Sequence, residues 1–336
     1  MRIGIDAYPL ARNGAGISNY LFNMVKHLEQ IDQQNEYFLY SCPGIKLPFS
    51  DNVRWHVRIN DGLISKSATL WMQSGAHGAL GQDKIDIFWS PEQIGPINLS
   101  NEIKIVLTIH DLSWLFFPQT MSVHNLLLHR NFFKKSINRA NVLITDSTSI
   151  SLQLQNSFPE ISKDKLKVIY NAVDEDVVLI KSQNAQEYVR KNFNIHKKYI
   201  LFVGTIEPRK NIEVLMRAYG RLEDNIKDEY QLLIVGRFGW KYAHIFKFCH
   251  KLRLSSDQLK FLGYVSNQDL TNLYCGASLF VFPSLYEGFG IPLLEAMKFR
   301  VPVLCSDIPV FREVAGQGAF FVDPKNVESM RDGIKK

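Results

Sequence analysis

The sequence predicts an α/β protein built from two doubly wound, mostly parallel sheets, and three observations support this. Short apolar segments alternate with amphipathic segments of helical spacing, which is the pattern of parallel strands joined by helices. The alternation stops at residues 174–198 and then starts again. The chain has 336 residues, 46% of them hydrophobic, which is enough for two domains with separate cores.

The first series of strand and helix signals covers residues 1–173. Its expected strands are, in chain order, RIGID, YFLYS, VRWHVRI, IDIFW, IKIVLTIHD, VLITDS and LKVIY. The segment ISNYLFNMVKHLEQ has helical spacing after the first strand, and a later helix is expected to end at Arg139. These signals predict an N-terminal Rossmann-like domain over residues 1–173.

The second series covers residues 199–336. Its expected strands are, in chain order, YILFVG, QLLIVG, LKFLGYV, LFVFPS, VPVLCSD and AFFVD. Amphipathic segments such as NIEVLMRAYGRL and NQDLTNLYCGA lie between them and predict connecting helices. The simplest architecture is therefore two Rossmann-like domains that face each other across a cleft.

Residues 174–198 separate the two series. This stretch is polar, strongly charged and without strand periodicity, so we expect a linker or hinge. It begins with an acidic triplet, Asp174, Glu175 and Asp176, which could be read as a metal clamp. Because no His and no glycine turn lies nearby, we favour a solvated hinge and expect no metal site.

Charge and composition narrow the possible partners. The net charge at pH 7 is +6 and the isoelectric point is near 9.0. This modest basic excess is compatible with anionic substrates or an anionic membrane surface, and it is too small to indicate nucleic acid binding. We therefore expect no nucleic acid partner.

Cysteine spacing and hydropathy predict the compartment. Cys42, Cys249, Cys275 and Cys305 form no CxxC pair, which argues against a zinc knuckle or a disulfide framework. The N-terminal segment MRIGIDAYPL is typical of a first strand and lacks the apolar core of a signal peptide. No run of about eighteen apolar residues occurs. We expect a cytoplasmic protein, peripheral on the inner face of the cell membrane if its basic helix binds lipid.

The stretch from Phe282 to Met297 is the strongest candidate for a ligand site. A short apolar strand leads into a glycine-containing loop and then into a helix, whose first N–H groups and dipole favour an anion. Gly288 and Gly290 allow the backbone to come close to such a ligand. Glu287 and Glu295 flank the loop with seven residues between them, either as solvated side chains or as partners of sugar hydroxyls.

Two other loops also lie between a strand and a helix. Gly14 and Gly16 precede the first long helix, where they form either a phosphate cradle or a plain strand-to-helix turn. Arg209 and Lys210 follow the first strand of the second series, where cations can reach a diphosphate or form a solvated basic turn.

Further candidates lie at strand ends, where α/β sheets place ligand groups. His110 ends the strongest strand of the first half and is expected to hydrogen-bond a substrate oxygen. Gly236 ends a strand of the second half, either as a turn or as a point of close backbone approach. Gly263 and Tyr264 end another strand of the second half, where backbone groups could contact the edge of a nucleobase.

The helix LLLHRNFFKKSINRA combines apolar and basic residues. Its cations include Arg130, Lys134, Lys135 and Arg139. It is either an ordinary surface helix with one face in the core or a basic amphipathic surface for anionic lipid.

Taken together, FVGTIEPRKNIEVLMRAY and LFVFPSLYEGFGIPLLEAM resemble the retaining GT-B fold glycosyltransferases of family 4. The resemblance extends to GAGISNY and IHDLSWLFFP in the first half and to VIYNAVD before the linker. Glu287 and Glu295 match the EX7E pair of that family. The resemblance implies an acceptor-binding first domain and a nucleotide-sugar-binding second domain.

The resemblance also implies roles for single residues. Glu287 would contact the hydroxyls of the donor sugar, and Glu295 the ribose of its nucleotide. Lys210 would neutralise the diphosphate, and His110 would bind the transferred sugar near its anomeric carbon. The implied loop contacts to sugar and phosphate are made by Gly16, Gly288, Phe289, Gly290 and Ile291.

Two features depart from the family pattern. Many members have an arginine where this chain has Thr205, so either Arg209 replaces that arginine or Lys210 carries the charge alone. The family also usually ends with helices that return to the first domain, and we expect this chain to stop before completing them.

The phrases GTIEPRKN, HDLSW and FGW are most similar to bacterial mannosyltransferases that build surface polysaccharide. They imply transfer of mannose from GDP-mannose to a lipid-linked or oligosaccharide acceptor, without a metal or other cofactor. A UDP-hexose donor is the alternative within this class. A GT-B epimerase, a phosphorylase and a non-catalytic glycan-binding subunit are the alternatives outside it.

Overall fold

The structure is a computed structural model that describes residues 1–11, 16–62, 67–173, 179–252 and 254–336. The chain divides into two compact units. The first contains residues 1–112 and 123–171, and the second contains residues 113–122 and 172–336. Gly14 and the triplet Asp174, Glu175 and Asp176 lie outside the described residues.

In the described part of the first unit, seven strands form one sheet. The strands are β1 Arg2–Asp6, β2 Glu36–Ser41, β3 Trp55–Ile59, β4 Ile87–Ser90, β5 Lys104–Ile109, β6 Val142–Thr145 and β7 Leu166–Val168. Their order across the sheet is β3-β2-β1-β4-β5-β6-β7, and neighbouring strands are parallel. The order reverses between β1 and β4, which makes the carboxyl ends of these strands a switch point of the sheet.

Helices connect these strands. In chain order they are α1 Tyr8–Ala11, α2 Ile17–Ile31, α3 Ala68–Ser74, α4 Ala76–Gln82, α5 Ser113–Phe116, α6 Val123–Arg139 and α7 Thr148–Ser157, of which α5 groups with the second unit. Helix α2 buries Leu21 and Val25, which lie four residues apart on one face. They pack against Ile5 and Leu39 of the central strands, so the core lies between the sheet and its helices.

The second unit repeats this plan. Its strands are β8 Lys198–Val203, β9 Tyr230–Val235, β10 Leu259–Gly263, β11 Leu279–Phe282, β12 Val303–Ser306 and β13 Phe320–Val322. As far as the chain is described, these six form a second parallel sheet, in the order β10-β9-β8-β11-β12-β13. Its switch point lies between β8 and β11. The predicted class of two doubly wound parallel sheets is confirmed.

The helices of the second unit surround this sheet. They are α8 Ser182–Phe193, α9 Ile212–Gly220, α10 Asp224–Glu229, α11 Ala243–Leu252, α12 Asn267–Gly276, α13 Ile291–Lys298, α14 Pro309–Ala315 and α15 Val327–Lys335. Strands β8, β9 and β11 are almost wholly buried, which explains why their sequences are continuous apolar runs.

The stretch 174–198 differs from the expected linker. Its described part contains α8, which groups with the second unit and buries Ala185 and Val189. These residues lie four positions apart among charged neighbours, so a narrow apolar stripe anchors a helix whose composition is mostly polar. The last strand of the first sheet ends at Val168, and the first unit ends at Asn171.

Residues 113–122 also depart from the expected division at 173, because they group with the second unit. The indole Nε1 of Trp240 donates to the carbonyl of Thr120, and Lys241 Nζ donates to the carbonyl of Gln119 at 2.6 Å. The ring of Phe117 lies 5.4 Å from that of Tyr286. These contacts explain why a segment between two elements of the first unit belongs to the second.

Candidate active site

The candidate site of the second unit lies at the switch point between β8 and β11. The loop after β8 carries Arg209 and Lys210, and the loop after β11 carries Glu287. Because neighbouring parallel strands end at the same edge, loops separated by more than seventy residues meet here. The structure therefore brings together three residues that the sequence analysis selected from two motifs.

Local chemistry fixes the turn that holds the two cations. Pro208 begins a 3-10 turn, Pro208–Lys210, and Asn211 ends it in the left-handed conformation. The Asn211 side chain donates to the carbonyls of Pro283 and Pro324 at 3.0 and 2.7 Å. The Leu285 N–H donates to the carbonyl of Arg209 at 2.9 Å. These bonds tie the turn directly to the loop that carries Glu287.

The charged side chains form one connected network. Lys210 Nζ donates to Glu287 Oε1 at 2.5 Å, and Arg209 Nη1 donates to Glu287 Oε2 at 3.1 Å. Arg209 also donates to the Tyr286 carbonyl at 2.7 Å and, through Nη2, to Glu207 Oε1 at 2.8 Å. We call Glu207, Arg209, Lys210 and Glu287 the four-charge cluster. Its two carboxylates and two cations balance in formal charge.

Burial makes these interactions strong. Glu207 is 1% exposed and Glu287 is 8% exposed. Burial raises the pKa of Glu287, but Lys210 and Arg209 outweigh it, so this pKa lies below its ordinary value. Burial raises the pKa of Glu207 and Glu287 adds to that rise, against the opposing effect of Arg209 and Lys210. Glu287 therefore stays ionised as the counter-ion of both cations.

The carboxylates of the four-charge cluster hold its two cations in fixed positions. Two cations held in place by buried carboxylates need little reorganisation when a phosphate group approaches them. Glu207 was missed in the sequence analysis, although it stands two residues before Arg209 in the same motif, EPRKN. A glutamate next to a functional arginine is a signal that could have identified it.

The glycine loop leads directly into α13. Gly290 has φ of 100° and is the N-cap of this helix, and a Cβ there would lie 2.8 Å from the Phe311 ring. Phe289 is buried, and Gly288 and Ile291 flank the turn. The first N–H groups of α13 are thus at the end of the loop that carries Glu287, as an anion site requires.

Glu295 lies one turn into α13 and has a partner that the sequence did not suggest. Its Oε2 accepts a hydrogen bond of 2.8 Å from the hydroxyl of Tyr274, a fully buried residue of α12. Burial raises the pKa of Glu295, and the Tyr274 bond opposes that rise. Burial and Glu295 together raise the pKa of Tyr274. Tyr274 therefore donates to Glu295 and fixes one of its oxygens.

The loops after β8, β9 and β10 join along the same edge of the sheet. Gly204 N–H donates to the Val235 carbonyl and Gly236 N–H to the Gly263 carbonyl, both at 2.9 Å. Gly236 has φ of 145°, and a Cβ there would lie 1.9 Å from the Gly204 carbonyl oxygen. Close backbone approach therefore explains this glycine without any ligand.

Two donor-binding predictions lie along this edge. Thr205 follows Gly204, and a Cβ added at Gly239 would lie 2.7 Å from its methyl group. Tyr264 is 63% exposed, and the Arg237 guanidinium lies 4.2 Å from its ring centroid. Their contacts with a nucleotide stay predictions.

In the first unit, His110 lies at the carboxyl end of β5 with both ring nitrogens engaged. Its Nδ1 is 2.6 Å from Asp146 Oδ2, and its Nε2 is 2.8 Å from the Pro91 carbonyl oxygen. Asp146 follows β6 and Pro91 follows β4, the two neighbours of β5 in the sheet. Asp146, 3% exposed, was not selected from the sequence.

The remaining predictions of the first unit fall on α2 and α6. Gly16 precedes α2, and its carbonyl accepts from Tyr20 N–H at 2.8 Å. On α6, Lys134 pairs with Glu160 at 2.8 Å, and Arg139 donates to three carbonyls, that of Ser100 at 2.7 Å. Arg130 and Lys135 are exposed. Lys134 and Arg139 thus have partners within the protein, whereas Arg130 and Lys135 present positive charge at the surface of α6.

Within the described residues, no helix is both long and apolar enough to cross a bilayer. The same residues contain no group of three or more His, Cys, Asp or Glu side chains arranged to hold a metal ion.

Comparison with solved structures defines the class. Sucrose-phosphate synthase from Thermosynechococcus elongatus matches with a TM-score of 0.78 at 16% identity, covering 100% of this chain and 89% of that one. WaaG, a glycosyltransferase involved in lipopolysaccharide biosynthesis, matches with a TM-score of 0.73 at 15% identity, covering 100% and 91%. The fold is that of the GT-B glycosyltransferases.

Family models define the protein more closely. The model described as Glycosyltransferase Family 4 matches residues 14–177, and that described as Glycosyl transferases group 1 matches residues 177–336. The chain belongs to glycosyltransferase family 4, as the resemblance implied, and it is a glycosyltransferase.

Two curated relatives are bacterial mannosyltransferases. O-antigen chain mannosyltransferase B of Escherichia coli is 27% identical over 342 residues, covering 98% of this chain and 88% of that protein. O-antigen chain mannosyltransferase RfbU of Salmonella typhimurium is 33% identical over 230 residues, covering 68% of this chain and 59% of that protein.

Proposed function

We propose that this glycosyltransferase moves mannose from GDP-mannose, with retention of anomeric configuration, to a lipid-linked glycan acceptor in O-antigen synthesis. The observation that carries the proposal is the four-charge cluster beside the start of α13. Arg209, Lys210 and the helix N–H groups supply positive charge where a nucleoside diphosphate would leave. Such preorganised charge is the largest contribution expected in a transfer of this kind.

The names of the relatives support the choice of sugar and pathway. The proteins from Escherichia coli and Salmonella typhimurium described above are named as O-antigen chain mannosyltransferases. This supports mannose as the transferred sugar and a growing surface polysaccharide as the acceptor.

The proposed reaction needs no metal ion. The bond between the anomeric carbon and the diphosphate oxygen breaks, and the acceptor oxygen forms a new bond on the same face. The acceptor proton passes to the departing phosphate oxygen, so no side-chain base is required. Positive charge from Arg209 and Lys210 offsets the negative charge that develops on the leaving group.

Nucleotide binding tests the donor. Calorimetric titration of the full chain is expected to show micromolar binding of GDP and much weaker binding of UDP. The same measurement on Lys210→Met should show weaker GDP binding, because one of two cations near the diphosphate is removed. Micromolar binding of UDP with none of GDP would overturn the mannose assignment in favour of a UDP-hexose donor.

Product analysis tests the reaction. Mass spectrometry with GDP-mannose and a lipid-linked saccharide should detect one added hexose, and the one-bond carbon–hydrogen coupling of the product should report an α-linkage, since the donor is α-linked. A β-linked product would overturn retention.

The same assays distinguish the other classes. A changed nucleotide sugar without acceptor would indicate an epimerase, and dependence on free phosphate would indicate a phosphorylase. Binding without turnover would indicate a glycan-binding subunit.

Tyr274→Phe is expected to raise the donor KM several-fold with little change in kcat. The variant keeps the ring but removes the hydroxyl that fixes Glu295, which we expect to bind the ribose. A typical hydrogen bond contributes roughly 0.5–1.5 kcal/mol, which corresponds to a several-fold change in binding. Steady-state kinetics with varied GDP-mannose measures the effect.

Tyr219→Phe is the matched control for that variant. Tyr219 is also a fully buried tyrosine, and its hydroxyl donates to the Tyr230 carbonyl at 2.7 Å. It should lose about 1 kcal/mol of stability without a change in donor KM. Equal KM values for wild type and Tyr274→Phe would remove Tyr274 from donor binding.

We further propose that α6 brings the enzyme to an anionic membrane surface. Val123 and Leu127 are 72% and 52% exposed, and Arg130 and Lys135 are exposed cations of the same helix. Flotation with anionic vesicles should recover the wild type and lose Arg130→Gln/Lys135→Gln. Lys191→Gln/Lys325→Gln removes the same charge from exposed positions elsewhere, and equal loss in both pairs would contradict a specific role of α6.

A further inference from the structure

His110 lies between two hydrogen-bond acceptors. The Pro91 carbonyl oxygen, 2.8 Å from Nε2, can only accept a hydrogen bond, so Nε2 must carry a proton. Asp146 Oδ2, 2.6 Å from Nδ1, also accepts when the carboxylate is ionised, so Nδ1 must then carry one as well. An imidazole ring with both nitrogens protonated is positively charged.

The proton between His110 and Asp146 belongs on the histidine. The ordinary pKa of histidine exceeds that of aspartate by about 2–3 units, so the ion pair is favoured over a neutral pair. A neutral ring that carries its proton on Nε2 could keep both contacts only if Asp146 were protonated and donated to Nδ1. In the charged ring, both N–H groups donate. The geometry therefore requires one proton between the two groups, and their ordinary basicities place it on His110.

The surroundings of the ring agree with this. Burial lowers the pKa of His110, but Asp146, the Pro91 carbonyl and Asp111 outweigh it, so the pKa lies above its ordinary value. Tyr20 of α2 approaches the ring edge-on, with centroids 4.9 Å apart. Burial, followed by Asp146, raises the pKa of Tyr20 to about 12, so this phenol is neutral at pH 7.

We propose that Asp146 is a positioning residue that keeps His110 doubly protonated, so that the imidazolium acts as a fixed positive charge at pH 7 and not as a general base. This role goes beyond sugar contact by His110, because it gives the strand-end histidine a positive charge at pH 7. Its effect on transfer rests on the proposed function, whereas the protonation state does not.

Asp146→Asn is a specific test of this role. Within the described part of the chain, Asp146 Oδ1 has no hydrogen-bond partner, so the substitution acts mainly on the bond to His110. An asparagine oxygen can accept from Nδ1–H, but it supplies no negative charge. Its NH2 group can also donate to an unprotonated Nδ1, so a neutral ring that carries its proton on Nε2 keeps both hydrogen bonds and the charged ring is no longer favoured.

Nuclear magnetic resonance of the full chain with ¹⁵N-labelled histidine gives the direct readout, and loss of the signal in His110→Gln assigns it. Wild-type His110 should have two protonated nitrogens at pH 7 and titrate above about 6.5. Asp146→Asn should lower its pKa by one unit or more, and Asp111→Asn by less. A singly protonated His110 in the wild type at pH 7 would overturn the proposal without any variant.

The pH profile of transfer provides the second readout. A raised folded pKa means that the His110 charge stabilises the protein fully below about pH 6.5 and that this contribution is lost as pH rises through the folded pKa. A His110 pKa that is one unit lower leaves up to about tenfold less charged ring at alkaline pH, so Asp146→Asn should transfer up to about tenfold more slowly than wild type there and recover near pH 5.5. A deficit that is equal at both pH values would mean a merely structural role. Absence of transfer in the wild type would count against the proposed function and leave the resonance result intact.

Discussion

Glu287→Gln is expected to reduce sugar transfer by about 10²–10³-fold and to lower the free energy of unfolding by about 3–5 kcal/mol. Both effects follow from its place in the four-charge cluster. Glutamine leaves Arg209 and Lys210 without their shared counter-ion in a nearly buried site. The measurements are initial rates with GDP-mannose and urea unfolding of the same preparations.

The stability effect has a defined pH dependence. The pKa of Glu287 lies below its ordinary value, because Lys210 and Arg209 outweigh the effect of burial. Its contribution is therefore present above the unfolded pKa of about 4.3 and is lost as pH falls through the folded pKa. The difference in stability between wild type and Glu287→Gln should shrink in acid.

Glu229→Gln is the matched control for Glu287→Gln. Glu229 also pairs with a lysine of the second unit, Lys198 at 2.7 Å, but both side chains are more than half exposed. An exposed pair contributes little, so stability should change by less than about 1 kcal/mol. Unchanged turnover in Glu287→Gln would defeat its catalytic role, and a stability loss no larger than that of the control would defeat the buried counter-ion role.

Gly236→Ala is expected to destabilise the second unit by about 3 kcal/mol or more. The new Cβ would lie 1.9 Å from the Gly204 carbonyl oxygen, so the backbone of one of the two loops must move. The loops after β8 and β9 would move apart. Arg209 and Lys210 lie in the loop after β8, so they would be displaced. Urea unfolding measures the stability, and GDP titration measures the damage to the site.

Gly263→Ala separates the clash from the backbone strain. Gly263 also has positive φ, 69°, but a Cβ there would meet no atom within 4 Å. It should cost about 1–2 kcal/mol from conformation alone. If the two alanine variants were equally stable, the close approach of Gly236 to Gly204 would not constrain the fold.

Parts of the architecture were predictable because they depend on local sequence. Alternating apolar and amphipathic segments identified the strands of both sheets, since buried parallel strands are continuous apolar runs. Helix α8 was missed, because its apolar stripe of Ala185 and Val189 is too narrow to stand out among charged residues. The grouping of residues 113–122 with the second unit was also missed, since it depends on contacts with Trp240 and Tyr286, far along the chain.

The sequence by itself determined the class of fold, the motifs at the strand ends and the charged residues that these motifs carry. The tertiary structure decided how those residues pair. Arg209 meets Glu287 across 78 positions, and His110 meets Asp146 across 36. Strand order sets these partners, because the carboxyl ends of neighbouring parallel strands share one edge, and strand order is a non-local property of the chain. The sequence indicated Glu287 as a sugar-binding candidate, and the fold made it the counter-ion of Arg209 and of the buried Lys210.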